Sequence, residues 1–275
     1  MRLNRIAAAT AALLACLPLA STAQEEGRLR LLSTGDDSRG WEAVGRLNLG
    51  QRGFCTGALI APQLVLTAAH CLYDKATGQR IEPTEIEFLA GWRNGRAAAY
   101  RGARRALPHP SYVFDARDQL DRVAYDLALV ELDQPIRLPS IKPFDTGEQP
   151  AKGQEVGIVS YARDRSEAAS LQEVCHVLDR QPGVLVLSCS VDFGSSGAPV
   201  FAIRDGVARV VSVVSAKAEV TGSPVALGTM LEAPLGELRA ALSASDGVFR
   251  RELPPVRSLP GAVDAGIGGA KFIRP

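Results

Sequence analysis

Short apolar runs closed off by glycine, proline and aspartate constrain this chain more than any other feature. Residues 43–49, 58–60, 64–67, 127–132, 156–160, 184–187 and 207–214 each hold a few Val, Leu, Ile or Ala before a breaker arrives. Runs this short, set between turn residues, read as strands rather than helices, and the fold class they predict is all-β. The runs at 58–60 and 64–67 flank Ala61-Pro62-Gln63 and predict a hairpin. One segment has helical spacing instead: Leu235, Leu238 and Leu242 recur after Pro234, a residue suited to a first helical turn. A chain of 275 residues can hold one large or two smaller cores, and no internal repeat is visible.

Three segments carry chemistry. Leu64-Val65-Leu66-Thr67-Ala68-Ala69-His70-Cys71 puts a histidine at the end of an apolar strand, beside a cysteine. Tyr125-Asp126-Leu127-Ala128-Leu129-Val130 puts an acid at the edge of a buried run, and Phe193-Gly194-Ser195-Ser196-Gly197-Ala198-Pro199-Val200 is a small-residue turn carrying serine. In that order they supply base, orienting acid and nucleophile, with a turn able to aim backbone N–H groups at an oxyanion. An α/β-hydrolase elbow is excluded, because it needs G-x-S-x-G and the order Ser, Asp, His, whereas Ser196 is followed by Gly197 and Ala198.

These residues resemble the chymotrypsin-like (trypsin-like) serine proteases, whose members carry T-A-A-H-C, D-[IL]-A-L and G-D-S-G-G-P blocks in this order. Thr67-Ala68-Ala69-His70-Cys71 matches the first, Asp126-Leu127-Ala128-Leu129 the second and Gly194-Ser195-Ser196-Gly197-Ala198-Pro199 the third. Weaker similarity extends the match to about 41–242. The resemblance implies two six-stranded antiparallel β-barrels with the active site between them, His70 and Asp126 coming from the first and Ser196 from the second. It implies His70 as base, Asp126 as its orienting partner, Ser196 as nucleophile, and the N–H groups of Gly194 and Ser196 as oxyanion hole. It places Ser190 at the base of the substrate pocket, with Val213, Val214, Ser215 and Gly228 as walls. A neutral base favours uncharged small or apolar substrate side chains, unless Asp192 faces the pocket. Ser195 departs from animal trypsins, which carry an aspartate there to receive a new N-terminal ammonium. That makes the chain more similar to the bacterial glutamyl endopeptidase branch and requires other contacts to hold the serine turn.

Arg2 and Arg5, an Ala/Leu-rich run and Ser21-Thr22-Ala23 form a predicted signal peptide over 1–23, with the mature chain starting at Gln24. Export leaves an even set of cysteines, which reads as disulfides rather than a metal site. The resemblance pairs Cys55 with Cys71, and Cys175 with Cys189 then follows by elimination. The expected organisation is an N-terminal extension over 24–40, the first barrel over 41–140, the second barrel and helix over 141–245, and a tail over 246–275. Near-neutral charge argues against a nucleic-acid partner, and Arg93, Arg96, Arg101, Arg104 and Arg105 read as a solvated face. No cofactor and no metal are expected, with a calcium site among Asp74, Glu82, Glu85 and Glu87 as a lesser alternative. His109 and His176 read as structural. The expected partner is a protein or peptide substrate, for a monomer without stable membrane association. A catalytically silent binding protein on the same scaffold is the competing reading.

Overall fold

The computed structural model describes residues 27–116 and 119–244. The predicted signal peptide and the tail lie outside the described residues. The first strand, β1 (Leu29–Leu31), belongs to the second of two sheets. The next six, β2 (Val44–Leu49), β3 (Phe54–Ala61), β4 (Leu64–Thr67), β5 (Ile86–Ala90), β6 (Ala99–Pro108) and β7 (Ala128–Leu132), close a barrel in the order β2-β3-β4-β7-β6-β5. Its centre is filled by Phe88, whose ring occupies the space left by two paired glycines: a Cβ on Gly45 would lie 2.4 Å from it. The hairpin between β3 and β4 turns where expected, at Pro62-Gln63.

A short helix α1 (Gln119–Ala124) precedes β7, and a strandless stretch over 133–154 leads to the second sheet. That sheet contains β8 (Glu155–Ala162), β9 (Arg165–Gln181), β10 (Val184–Leu187), β11 (Pro199–Arg204), β12 (Val207–Val220) and β13 (Ser223–Met230). Its order is β1-β9-β10-β13-β12-β11-β8, and β8 also pairs with β9, so six strands return on themselves while β1 adds to β9 over 170–172. Val156, Ile158, Val177, Leu185, Leu187, Val200 and Val211 fill its interior. The chain is therefore mostly β and chymotrypsin-like in layout, as the resemblance implies.

The C-terminal helix α2 (Glu232–Ser243) begins two residues before Pro234 and buries Leu235 and Leu238, two of the three leucines whose spacing predicts it. Residues 217–224 form the far end of the β12–β13 hairpin, turning at Thr221-Gly222, and β9 continues through Cys175-His176. The arginines on β6 face solvent partly, Arg104 and Arg105 both meeting Glu131 on β7.

Candidate active site

His70 sits in a single 3₁₀ turn (Ala69–Leu72) directly after β4. The turn is pinned because Cys71 is bonded to Cys55 on β3, with Cα atoms 6.2 Å apart; Cys175 and Cys189 form the second disulfide. Cys55, His70 and Cys71 cluster closely enough to suggest metal ligands, but both sulfurs are used in the disulfide. Asp126 follows α1, where its N–H returns to Val123 O at 3.2 Å. Its side chain is 3% exposed and meets the histidine twice: Oδ1 accepts the His70 backbone N–H at 2.8 Å, and Oδ2 lies 2.7 Å from ring Nδ1. Ser215 Oγ donates to the same Oδ2. A carboxylate can only accept, so this arrangement puts the ring proton on Nδ1 and leaves a lone pair on Nε2, which stands 3.8 Å from Cys71 Sγ.

Ser215 reaches Asp126 because β12 bulges there. Pairing passes from Val214↔Gly228 to Ala216↔Leu227 and leaves Ser215 without a cross-strand partner, which re-aims its side chain. Thr229 on β13 braces the other side, its hydroxyl donating to Val123 O at 2.6 Å with Asp126 O also within reach at 3.2 Å.

Ser196 lies across the cleft in the turn over 192–198. Gly194 has φ +99°, and a Cβ there would stand 2.5 Å from the Phe54 ring, so only glycine fits. The direction of the two N–H groups follows from their carbonyl partners, since N–H and C=O point opposite ways in a trans peptide. Phe193 C=O accepts from Arg163 N–H at 2.7 Å, and Ser195 C=O accepts from Ala198 N–H at 3.0 Å. The Gly194 and Ser196 N–H groups are thereby turned away from those contacts, and among the described residues neither has a partner.

Other contacts hold the turn where a trypsin would use an ion pair. Ser195 is fully buried, with Oγ 3.3 Å from Ser160 Oγ and 3.4 Å from Tyr161 O. Thr56 Oγ1 donates to Gly194 O at 2.8 Å and accepts Tyr161 N–H at 3.1 Å, and Thr56 N–H donates to Ser196 O at 2.8 Å. Thr56 and Thr229 had no signal in the sequence. Each acts on a partner more than a hundred residues away, and a threonine inside an apolar strand reads as packing.

His70, Asp126 and Ser196 line one cleft of about 480 Å³ together with Val191, Asp192, Val214, Ser215, Ala216 and Lys217. The residues expected to form the pocket are placed differently from one another. Val214 and Ser215 line the cleft, but Val213 points into the core and Gly228 is buried in strand pairing, because successive residues of a strand face opposite sides. Ser190 lines a smaller adjoining cavity of about 190 Å³ with Ser188, Lys217, Pro224 and Val225. Asp192 faces the cleft, its Oδ1 accepting Phe193 N–H at 2.8 Å. Two of the four acids named for calcium are engaged by protein: Arg52 bridges Asp74 at 2.7 Å and Glu85 at 2.9 Å. The N–H groups of Ala76 and Thr77 and this guanidinium hold the Asp74 carboxyl below the usual range.

A family model of the trypsin-like peptidase domain matches residues 55–211, and the chain belongs to that family. Serine protease 56 of Homo sapiens is 34% identical over 141 residues, 48% of this chain and 22% of that protein. Glutamyl endopeptidase of Bacillus licheniformis is 25% identical over 150 residues, 54% of this chain and 45% of that protein. The chain thus matches less than half the length of these relatives. Among solved structures, a Glu endopeptidase in complex with MPD has a TM-score of 0.65 at 17% identity, covering 79% of this chain and 97% of its own. A scabies mite inactivated protease paralogue gives 0.62 at 14% identity with the same coverage. At such identities these two likenesses concern the fold alone.

Proposed function

We propose that the chain is an exported serine endopeptidase that cleaves peptide bonds through an acyl-enzyme on Ser196. The observation that carries this reading is the ring of His70 held by Asp126 through Nδ1, in the same cleft as Ser196, with Nε2 left to stand 3.8 Å from the Cys71 sulfur, which as part of a disulfide has no proton to donate. Ser196 Oγ attacks the substrate carbonyl while His70 Nε2 takes its proton; Asp126 stabilises the imidazolium. The Gly194 and Ser196 N–H groups bind the oxyanion. His70 returns the proton to the leaving amine, and a water activated by the same nitrogen releases the acyl group. Val191, Val214 and Ala216 give the acyl side an apolar wall, which favours an uncharged side chain against it; Asp192, Lys75, Arg122 and Lys217 also line this half. Two disulfides and the predicted leader support export.

A fluorophosphonate should label the wild-type protein and not Ser196→Ala. Absence of labelling on folded, disulfide-bonded protein overturns the enzyme. The competing reading, a silent binding protein, is favoured by one observation: among the described residues no hydrogen bond joins Ser196 Oγ to His70. Catalytic hydrogen bonds often tighten only with substrate bound, so the peptidase reading stands ahead of it.

A further inference from the structure

The cleft has a second half that the acyl chemistry leaves unassigned. It encloses about 500 Å³ on the far side of Ser196 and His70 from β12, lined by the Cys55–Cys71 disulfide, Phe54, Arg52, Asp74, Lys75, Arg163, Phe193 and Gly194. With the acyl side against Val214–Lys217, this half receives the leaving-group side of a bound peptide. Its charges are not balanced. Asp74 is the acid that lines it, and Arg52 neutralises that carboxylate. Lys75, which stands at the junction and lines both halves, and Arg163, which lines this half, are left over: among the described residues neither has a carboxylate within 4.0 Å.

Neither cation is loose. Arg163 Cζ stands 5.1 Å and Lys75 Nζ 6.0 Å from the centroid of the same Phe193 ring, which is 64% exposed. Phe193 directly precedes the oxyanion glycine, and its carbonyl is tied to Arg163 N–H. The ring therefore gathers two unpaired cations next to the reacting atoms.

We infer that this half of the cleft selects peptides carrying Asp or Glu just after the scissile bond, with Lys75 and Arg163 as specificity-determining residues. The inference rests on the peptidase reading and names the substrate class that the site takes. An acidic side chain there pairs with the cations against the Phe193 ring, whereas Lys or Arg meets uncompensated positive charge. The pairs stay partly solvated, so the preference weakens as salt rises.

Three peptides identical except for Glu-Glu, Ala-Ala or Lys-Lys after the cleaved bond test this. Binding is measured on full-length Ser196→Ala and cleavage on the wild type, at low and high salt. Glu-Glu should bind about tenfold more tightly than Lys-Lys at low salt. Adding Lys75→Glu with Arg163→Glu should reverse the order, and Lys75→Gln with Arg163→Gln should erase it, thermal unfolding showing that each variant is folded. Equal binding of the three peptides, or a preference that survives charge reversal, overturns the inference. Fluorophosphonate labelling separates the two readings. Labelled protein without acidic preference keeps the peptidase and removes the inference; unlabelled protein with the preference intact keeps an acidic-peptide groove and removes the peptidase.

Discussion

Asp126 receives three donors on two oxygens while almost entirely out of water, and that concentration makes it the most constrained side chain of the site. Asp126→Asn keeps the shape but offers an N–H₂ where an acceptor is needed, which turns the histidine to its wrong tautomer. The fluorophosphonate labelling rate should fall by about 10⁴-fold with the fold intact; a loss under tenfold would mean that Asp126 does not set the tautomer. Ser195 makes the opposite point about charge. It lies fully buried among Ser160 Oγ, Tyr161 O and Asp192 N, and among the described residues no cation hydrogen-bonds to it. Restoring the trypsin residue by Ser195→Asp would bury a carboxylate without its ammonium, at about 3–5 kcal/mol. Chemical denaturation should show that loss, and an unchanged midpoint would mean that an unseen cation waits at this turn.

The elements that could be read from the sequence are those whose inner residues are apolar. Residues 64–67 and 184–187 coincide with β4 and β10 because Leu and Val fill their buried positions apart from Thr67, whose hydroxyl is bonded to Thr56 O. The long β9 escaped because Ser170 and Gln172 occupy inward positions, and hydrogen bonds rather than apolar contact make them fit. The hairpin arm of β12 and β13 escaped for the opposite reason: it projects where neither face needs an apolar residue, so Lys217 to Pro224 look like a loop. The three blocks of the site were legible since their chemistry fixes residue type, whereas the pocket walls depend on the bulge at Ser215, which no sequence pattern announces. Gln172 shows how an element can serve the pocket from behind. Its Nε2 donates to Gly27 O at 3.1 Å and its Oε1 accepts Ser190 N–H at 2.8 Å, so the residues preceding β1 and the pocket base share one buried side chain. Gln172→Leu leaves both backbone groups without a partner, which should cost about 1–3 kcal/mol. The urea midpoint should drop with the slope unchanged, while peptide KM rises more than kcat falls. Unaltered KM would confine Gln172 to a structural role.

At the scale of the molecule, the two sheets are joined on one side by aromatic rings and on the other by α2. Phe201 of β11 packs edge-on against Trp41 before β2, at 5.1 Å, and against Phe144 of the connecting stretch, at 4.7 Å. The helix leaves β13 and returns to the first barrel, where Arg105 donates to Leu242 O at 3.1 Å and His109 stands 3.2 Å from Glu237. His109 has no exposed side-chain surface, stacks on Tyr125 at 5.1 Å and accepts Ser111 N–H on Nδ1 at 3.1 Å. Burial disfavours its charged form and lowers its pKa, the nearby Glu237 opposing only in part. The sign for stability follows. Above the ordinary imidazole range, about pH 6.5, histidine is neutral in both states and contributes no slope. As pH falls below it, the unfolded chain takes up a proton that the folded protein resists, so stability is lost across the window between that value and the lower folded one. Unfolding free energy of the wild type should therefore fall more steeply from about pH 7 to pH 5 than that of His109→Gln, in which this position cannot titrate. Parallel curves would show that helix and barrel are not held together through a neutral histidine. A converging pair would mark the α2 clasp as the contact between barrel and helix that mild acid loosens, with the His70–Asp126 pair left in place by its own separate bonds.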